Sequence, residues 1–372
     1  MEKKIIYLDN AATTRVGKEV VAEMGKYYSE EYGNPSSIHA LGEETRKAID
    51  RARGEIAREI GARTGEIVFT SGTTESNNMA LLGVAKSELG RKKRKIIVSA
   101  IEHSSIFEIS SALKKEGFKI VEIPVNREGI VDIGRIGEEV DGDTLLVSVM
   151  HVNNEIGTIQ DLGKIGRICR ERGAYFHTDC AQSFGKLKID VKGMGIDLLS
   201  AGAHKIGGPK GIGILYVREG VKIEPIIYGL QERGLRGGTE NVPGIMGFAK
   251  ALEIMRGEDK NKIKEVRDYF VLGLEKIGGK INGSKKERIY NNVNVCFDGK
   301  DGEGIVLALS EKGVMCSTGS ACESRKKSEK VLRAIGLNEK EINGSLRFSL
   351  GSEVWKKDVD KVLRELKLIL KR

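Results

Sequence analysis

What this chain has little of narrows its class first. Aromatic residues make up only 5% of it, tryptophan occurs once, and proline occurs five times in 372 residues. No stretch approaches the roughly 20 apolar residues that cross a bilayer. The N-terminus runs Met1-Glu-Lys-Lys4 straight into the strand-like Ile5-Ile-Tyr-Leu8, with no room for a signal-peptide core. A cytoplasmic location is therefore expected. Cysteine is also sparse: Cys169, Cys180, Cys296, Cys316 and Cys322 are odd in number and form no C-x-x-C pair. That argues against a disulfide framework or a zinc ribbon and leaves reduced thiols, among which one reactive residue is worth seeking. The net charge of +9 has its densest run at Arg91-Lys-Lys-Arg-Lys95, but aromatic interleaving is missing, so no direct nucleic-acid contact is expected.

What is present is globular in composition, with 40% hydrophobic and 31% charged residues. At this length a single core stops growing and about two domains are expected. Strand-like runs at Glu66–Thr70, Lys95–Ser99, Lys119–Ile123, Thr144–Met150, Tyr175–Thr178, Asp197–Ser200 and Gly213–Val217 alternate with helical stretches. That rhythm predicts an α/β fold with a mostly parallel sheet. The charged segment Arg256–Lys262 marks a boundary, beyond which a helix, Asn292–Phe297, a further helix, Ser345–Leu350 and the amphipathic Val359–Leu370 form a smaller α+β unit. The expected division is a large domain over 15–255 and a small one from 1–14 and 256–372.

Lys205 closes the apolar run Asp197-Leu-Leu-Ser-Ala-Gly-Ala-His-Lys205, which reads as a buried strand delivering an amine into the Gly-rich turn Ile206–Gly213. Most lysines are solvated surface charges, but Asp179 and Gln182 follow the strand-like Ala174–Thr178, and in a parallel sheet such strand ends converge on one edge. A lysine able to form a Schiff base, with an aspartate aimed at a pyridinium nitrogen, is what pyridoxal 5'-phosphate needs. Phe69-Thr-Ser-Gly-Thr-Thr-Glu-Ser76 adds a strand, a Gly turn and a helix start, a cup for phosphate in which Thr73 and Thr74 bring hydroxyls. An ordinary capped helix would carry the same signature. His103, just past the strand ending near Ser99, is placed to stack on a flat ring and move protons, and Asn154 follows the strand ending at Met150. Arg236 and Thr239 sit on a second Gly-rich loop suited to a phosphate, including one in a neighbouring subunit; a plain surface turn fits the same residues.

Cys322 lies in the small-residue loop Val314-Met-Cys-Ser-Thr-Gly-Ser-Ala-Cys322, followed by Arg325, Lys326 and Lys327. Nearby cations lower a thiol's pKa and raise its thiolate fraction. Beside such a cofactor, a thiolate points to covalent chemistry on the substrate rather than plain transamination.

Tyr7-Leu-Asp-Asn-Ala-Ala-Thr-Thr14, Gly33-Asn-Pro-Ser-Ser37, Thr70–Glu75, Glu102-His103, Asn153–Gly157, His177–Gln182, His204-Lys205, Arg236–Thr239, Gly319–Cys322 and Arg347–Leu350 occur in an order that spans nearly the whole chain. In these the sequence resembles the cysteine desulfurases of the NifS/IscS type, within the fold-type I pyridoxal-phosphate enzymes. The resemblance implies a large domain with a mostly parallel seven-stranded sheet. It also implies that Lys205 binds the cofactor covalently and moves protons, that Asp179 pairs with the ring nitrogen and Gln182 with the ring hydroxyl, and that His103 stacks on the ring. Thr73, Thr74, His204 and a partner subunit's Thr239 would hold the phosphate, and Arg347, with Asn154 and Asn34, the substrate carboxylate. L-cysteine would give L-alanine and a persulfide on Cys322, supplying an iron–sulfur scaffold or another acceptor, including tRNA thiolation, from a homodimer; no metal is implied.

Two departures from the family pattern stand out. Gly202 replaces the hydroxyl residue usual three positions before the lysine, so one phosphate hydrogen bond is expected to be missing or supplied by Ser200 or water. The last residues given are Lys371-Arg372, so the extension many members use to dock a scaffold is expected to be missing. Alternatives within the same fold are a selenocysteine lyase or an aminotransferase; outside it, a basic binding protein that has lost catalysis.

Overall fold

A computed structural model describes residues 5–318 and 325–371. Its strands in chain order are β1 (Ile6–Tyr7), β2 (Ile67–Thr70), β3 (Lys95–Ser99), β4 (Lys119–Ile123), β5 (Thr144–Ser148), β6 (Tyr175–Asp179) and β7 (Leu198–Gly202). They continue with β8 (Gly213–Val217), β9 (Lys280–Ile281), β10 (Asn292–Cys296), β11 (Val314–Met315), β12 (Ser317–Thr318) and β13 (Ser345–Ser349).

Seven of these form one sheet in the order β2-β8-β7-β6-β5-β3-β4. β8 runs antiparallel to both its neighbours and the other pairings are parallel. The sequences explain the burial: β2, β3, β5, β7 and β8 are covered along their whole length, as expected of apolar, β-branched runs with helices on both faces. Period-two alternation sorts the side chains between two cores. Ile67, Phe69 and Ile97 join Ile56 and Phe248 on one face, whereas Val68, Ile96 and Val98 join Met79, Leu81 and Val84 on the other. β4 is the edge, and there Lys119 and Glu122 face solvent, which blunts pairing with another chain.

A third core brings Ile6 and Leu8 from the start of the chain together with Phe270, Phe348 and Leu366, with the Phe270 and Phe348 rings edge to face at 5.0 Å. It underlies the four-stranded antiparallel sheet β12-β13-β10-β9. β1 pairs parallel with β11, and Asp9 bridges to Ser349, so the N-terminal segment threads between this sheet and the larger one.

One element differs from the sequence expectation. The strand carrying Lys205 stops at the Gly202–Gly213 pair, and Ala203–Lys205 winds into a 3-10 turn. Pairing with β6 has already ended at Ser200, so the chain beyond has a neighbour on one side only and is free to turn toward the sheet's carboxyl edge.

Candidate active site

Along that edge the carboxyl ends of β2, β3, β5, β6 and β7 open into a cavity of about 820 Å³. Lys205 projects into it from the 3-10 turn, and its Nζ donates to the carbonyl oxygens of Ala11 and Ala12 at 2.5 and 2.6 Å. Burial, reinforced by the positive charges of Arg347 and Lys186, lowers the Lys205 amine to about 7. About half of it is therefore neutral at pH 7, and a neutral amine is a nucleophile.

Asp179, at the end of β6, is fixed at both oxygens: Asn77 Nδ2 donates to Oδ2 and the Ala181 N–H to Oδ1, each at 2.8 Å. Gln182 Nε2 donates to the Ala11 carbonyl at 3.0 Å. Fully buried Asn77 also donates to Ser105 Oγ at 2.9 Å, and that hydroxyl lies 2.9 Å from His103 Nδ1. The Ser105 N–H donates to the same ring nitrogen at 3.2 Å. Nδ1 is thus the acceptor and Nε2 carries the proton. One relay of side chains orients both Asp179 and His103, and Asn77 is the member that sequence reading missed; nothing in the helical run Thr73–Lys86 distinguishes it from an ordinary buried asparagine.

The phosphate cup predicted at Phe69–Ser76 is a helix start. The helix Thr73–Lys86 begins at Gly72, whose φ of 154° and ψ of 175° suit glycine, and no side chain caps it. Glu75 reaches back to accept from the Ser71 N–H at 2.8 Å and binds Arg236 Nε at 2.9 Å. Thr73 and Thr74 are therefore not caps, and both line the cavity. Thr73 Oγ1 is buried and has no hydrogen-bond partner. First-turn N–H groups have no intrahelical acceptor and favour an anion. His204 lies close by, with Nδ1 3.2 Å from Thr13 Oγ1. Burial and the charges of Lys205, Lys210 and Lys186 lower its imidazole to about 4, so it is neutral there. An orphaned hydroxyl at a helix N-terminus, a held carboxylate and a neutral amine fit the phosphate, ring nitrogen and aldehyde of pyridoxal phosphate.

Arg347, on β13, reaches the same cavity from the other sheet. Its Nη2 donates to Asp9 Oδ1 at 2.8 Å and its Nη1 to the Asn154 carbonyl at 3.2 Å, while Nε is buried without a partner. Two buried acids also line this space, each with Oε2 unpartnered: Glu102 and Glu155. Burial raises Glu102 to about 8 even though Ser99 Oγ and the Met150 N–H donate to its Oε1. Burial raises Glu155 well above the carboxylate range too, against the pull of Arg347. Asp9 and Glu155 were visible only as members of longer motifs, because chain proximity says nothing of their meeting with Arg347.

Several expected residues lie elsewhere. Asn34 is exposed and caps its own turn, accepting from the Ser36 N–H at 2.9 Å, and it does not line the cavity. Thr239 is exposed and likewise outside it. Ser200 is excluded as a phosphate donor, since its hydroxyl is fully buried against His177 Nε2 at 3.0 Å. Cys322 falls outside the described residues; Ser317 and Thr318, where its loop leaves β12, line the cavity. The described cysteines, Cys169, Cys180, Cys296 and Cys316, are free and buried.

Residues 6–362 match the aminotransferase class-V family. The cysteine desulfurase IscS of Dictyoglomus turgidum is 46% identical across 100% of this chain and 95% of its own length. Cysteine desulfurase IscS 1 of Archaeoglobus fulgidus is 44% identical across 98% of this chain and 97% of its own. Among solved structures, a NifS-like protein superposes with a TM-score of 0.93 at 38% identity, covering 99% of this chain and all of its own. SspA, solved in complex with cysteine, superposes at 0.84 with 38% identity, over 93% and 98% of the two chains. With its fold, its lysine-bearing turn and this likeness along the whole length, the chain belongs to the class-V aminotransferase family and, within it, to the pyridoxal-phosphate-dependent cysteine desulfurases of the NifS/IscS type.

Proposed function

We propose that this cavity converts L-cysteine to L-alanine and passes the sulfur to Cys322. The observation that carries the proposal is the meeting of Lys205 and Arg347, from different sheets, in one cavity: an amine lowered to about 7 opposite a guanidinium with an unused donor. Bound pyridoxal phosphate supplies an electron sink that makes the substrate's α-proton labile. Lys205 would anchor it, with Asp179 serving its ring nitrogen, Gln182 its ring hydroxyl and His103 its ring. Thr73, Thr74 and His204 would hold its phosphate, with Thr239 contributed by a second subunit.

Arg347, with Asn154, binds the substrate carboxylate, which a planar guanidinium grips in two-pronged fashion. Lys205 Nζ, freed when the substrate's amine displaces it, takes the α-proton. The Cys322 thiolate attacks the substrate sulfur, so an S–S bond forms as the C–S bond breaks; the electron pair stays with the substrate's β-carbon, which takes up a proton, Lys205 returns a proton to the α-carbon, and alanine leaves while Cys322 keeps the persulfide. In this reading a small unit of residues 1–14 and 256–372 carries Cys322, and a large unit of 15–255 carries Lys205.

A homodimer is part of the proposal. Thr239 does not line its own cavity, and the chain exposes apolar side chains at Tyr228 (79%) and Leu230 (92%) on the same stretch, an exposure that a second copy would relieve. Among the described residues no helix is long and apolar enough to cross a membrane, and we infer a cytoplasmic enzyme. The sulfur acceptor is an iron–sulfur scaffold protein or a tRNA-thiolation partner.

Purified holoenzyme given L-cysteine and a reductant should release alanine and sulfide in equal amounts, and Cys322→Ser should keep the cofactor's yellow colour while losing the persulfide. Full sulfide output from Cys322→Ser would remove the assignment. Turnover without any persulfide would favour a selenocysteine lyase or aminotransferase.

A further inference from the structure

Gly202 and Thr73 share one small volume. A Cβ at position 202 would lie 2.8 Å from Thr73 Oγ1, 3.6 Å from the Thr73 nitrogen and 3.7 Å from His204 Cδ2. The first distance is shorter than real Cβ contacts allow. A side chain at 202 would therefore force Thr73 about χ1, and a β-branched residue at the start of a helix has few rotamers to move to. Thr73 Oγ1 in turn is buried, borders the cavity and has no partner of its own. A buried hydroxyl left unpaired is costly, so this one is held ready for an acceptor that the protein does not provide.

We propose that the Thr73 hydroxyl replaces the hydroxyl missing at position 202: it occupies the space that Gly202 vacates and donates there to the cofactor phosphate. Gly202 is then not a defect in the phosphate seat but the condition for Thr73 to serve in it. The two positions are coupled, because one oxygen fits there and either residue can bring it. Ser200 is no substitute, being engaged with His177. The proposal rests on the reading that this end of the cavity seats the phosphate.

The test is a double-mutant cycle read by cofactor affinity. Enzyme resolved of its cofactor is titrated with pyridoxal phosphate and, separately, with pyridoxal, following the visible absorbance. T73A should weaken pyridoxal phosphate binding about tenfold or more, the loss expected for one hydrogen bond to a charged group. G202S should also weaken it, since the two side chains collide, whereas T73A/G202S should return to within about threefold of the parent. Pyridoxal, which lacks the phosphate, should bind all four proteins alike. Thermal melting of the unloaded variants separates lost affinity from lost folding. The proposal is overturned if G202S binds pyridoxal phosphate as tightly as the parent, or if the two losses simply add in the double variant. T74A separates the premise from the proposal. If T74A weakens binding and T73A does not, the seat is right and the role of Thr73 is wrong; if neither matters, the seat itself is misplaced.

Discussion

Arg347 donates to Asp9 at 2.8 Å across the junction of β13 and the N-terminal segment, and both side chains are largely buried. The pair presents a guanidinium whose direction is already set and whose Nε still lacks an acceptor. Arg347→Lys keeps the charge but loses the planar fork, so it cannot grip a substrate carboxylate with two parallel bonds while also holding Asp9. Loss of a charged hydrogen bond, about 1.5–3 kcal/mol, should lower kcat/KM for L-cysteine by about 10- to 150-fold, mainly through KM. Steady-state kinetics showing an unchanged KM would place the carboxylate elsewhere.

Lys205 should capture pyridoxal phosphate at nearly neutral pH. Its amine is lowered from 10.5 to about 7, so the reactive neutral form is in the majority above that point. The rate of cofactor capture by resolved enzyme, followed by absorbance, should rise with pH and level off above about 7. A rate still climbing steeply at pH 9 would show an amine of ordinary basicity.

Glu102 makes stability fall as pH rises. Its carboxyl is raised from 4.5 to about 8 by burial, so its contribution is fully present below 4.5 and is lost through pH 8, where the folded state must give up the proton. The shift corresponds to on the order of 3–5 kcal/mol. Glu102→Gln cannot titrate. Chemical denaturation should find the parent losing stability relative to Glu102→Gln between pH 5 and pH 8.5; parallel profiles would mean that Glu102 stays ionised.

The described thiols should be unreactive in the native protein. Burial raises Cys169, Cys180 and Cys316 to about 12 and Cys296 to about 11, which leaves almost no thiolate at neutral pH. Brief iodoacetamide treatment at pH 7.5 followed by peptide mass mapping should find the label on Cys322. Equal labelling of Cys316 would make it a second candidate for the persulfide.

Much of the fold was legible because its signals are local. Runs such as Lys95–Ser99 and Thr144–Ser148 carry their strand character in β-branched residues, and their alternation with helical stretches implies a parallel sheet and hence an edge where ligands gather. Lys205, Asp179, His103 and Thr73 could be picked out because each follows such a strand in the chain. Asn77, Asp9 and Glu155 could not, since their importance lies in partners far away along the sequence.

The sequence by itself determined the α/β class, a lysine that follows a strand, the scattered cysteines and the family pattern, all of which depend on order and spacing along the chain. Only the tertiary structure decided that Arg347 meets Asp9, that Asn77 ties Asp179 to His103, that burial leaves Lys205 with a nearly neutral amine, and that Thr73 fills the space beside Gly202. Those are matters of distance and desolvation, which arise only when separate segments are packed together and water is removed between them.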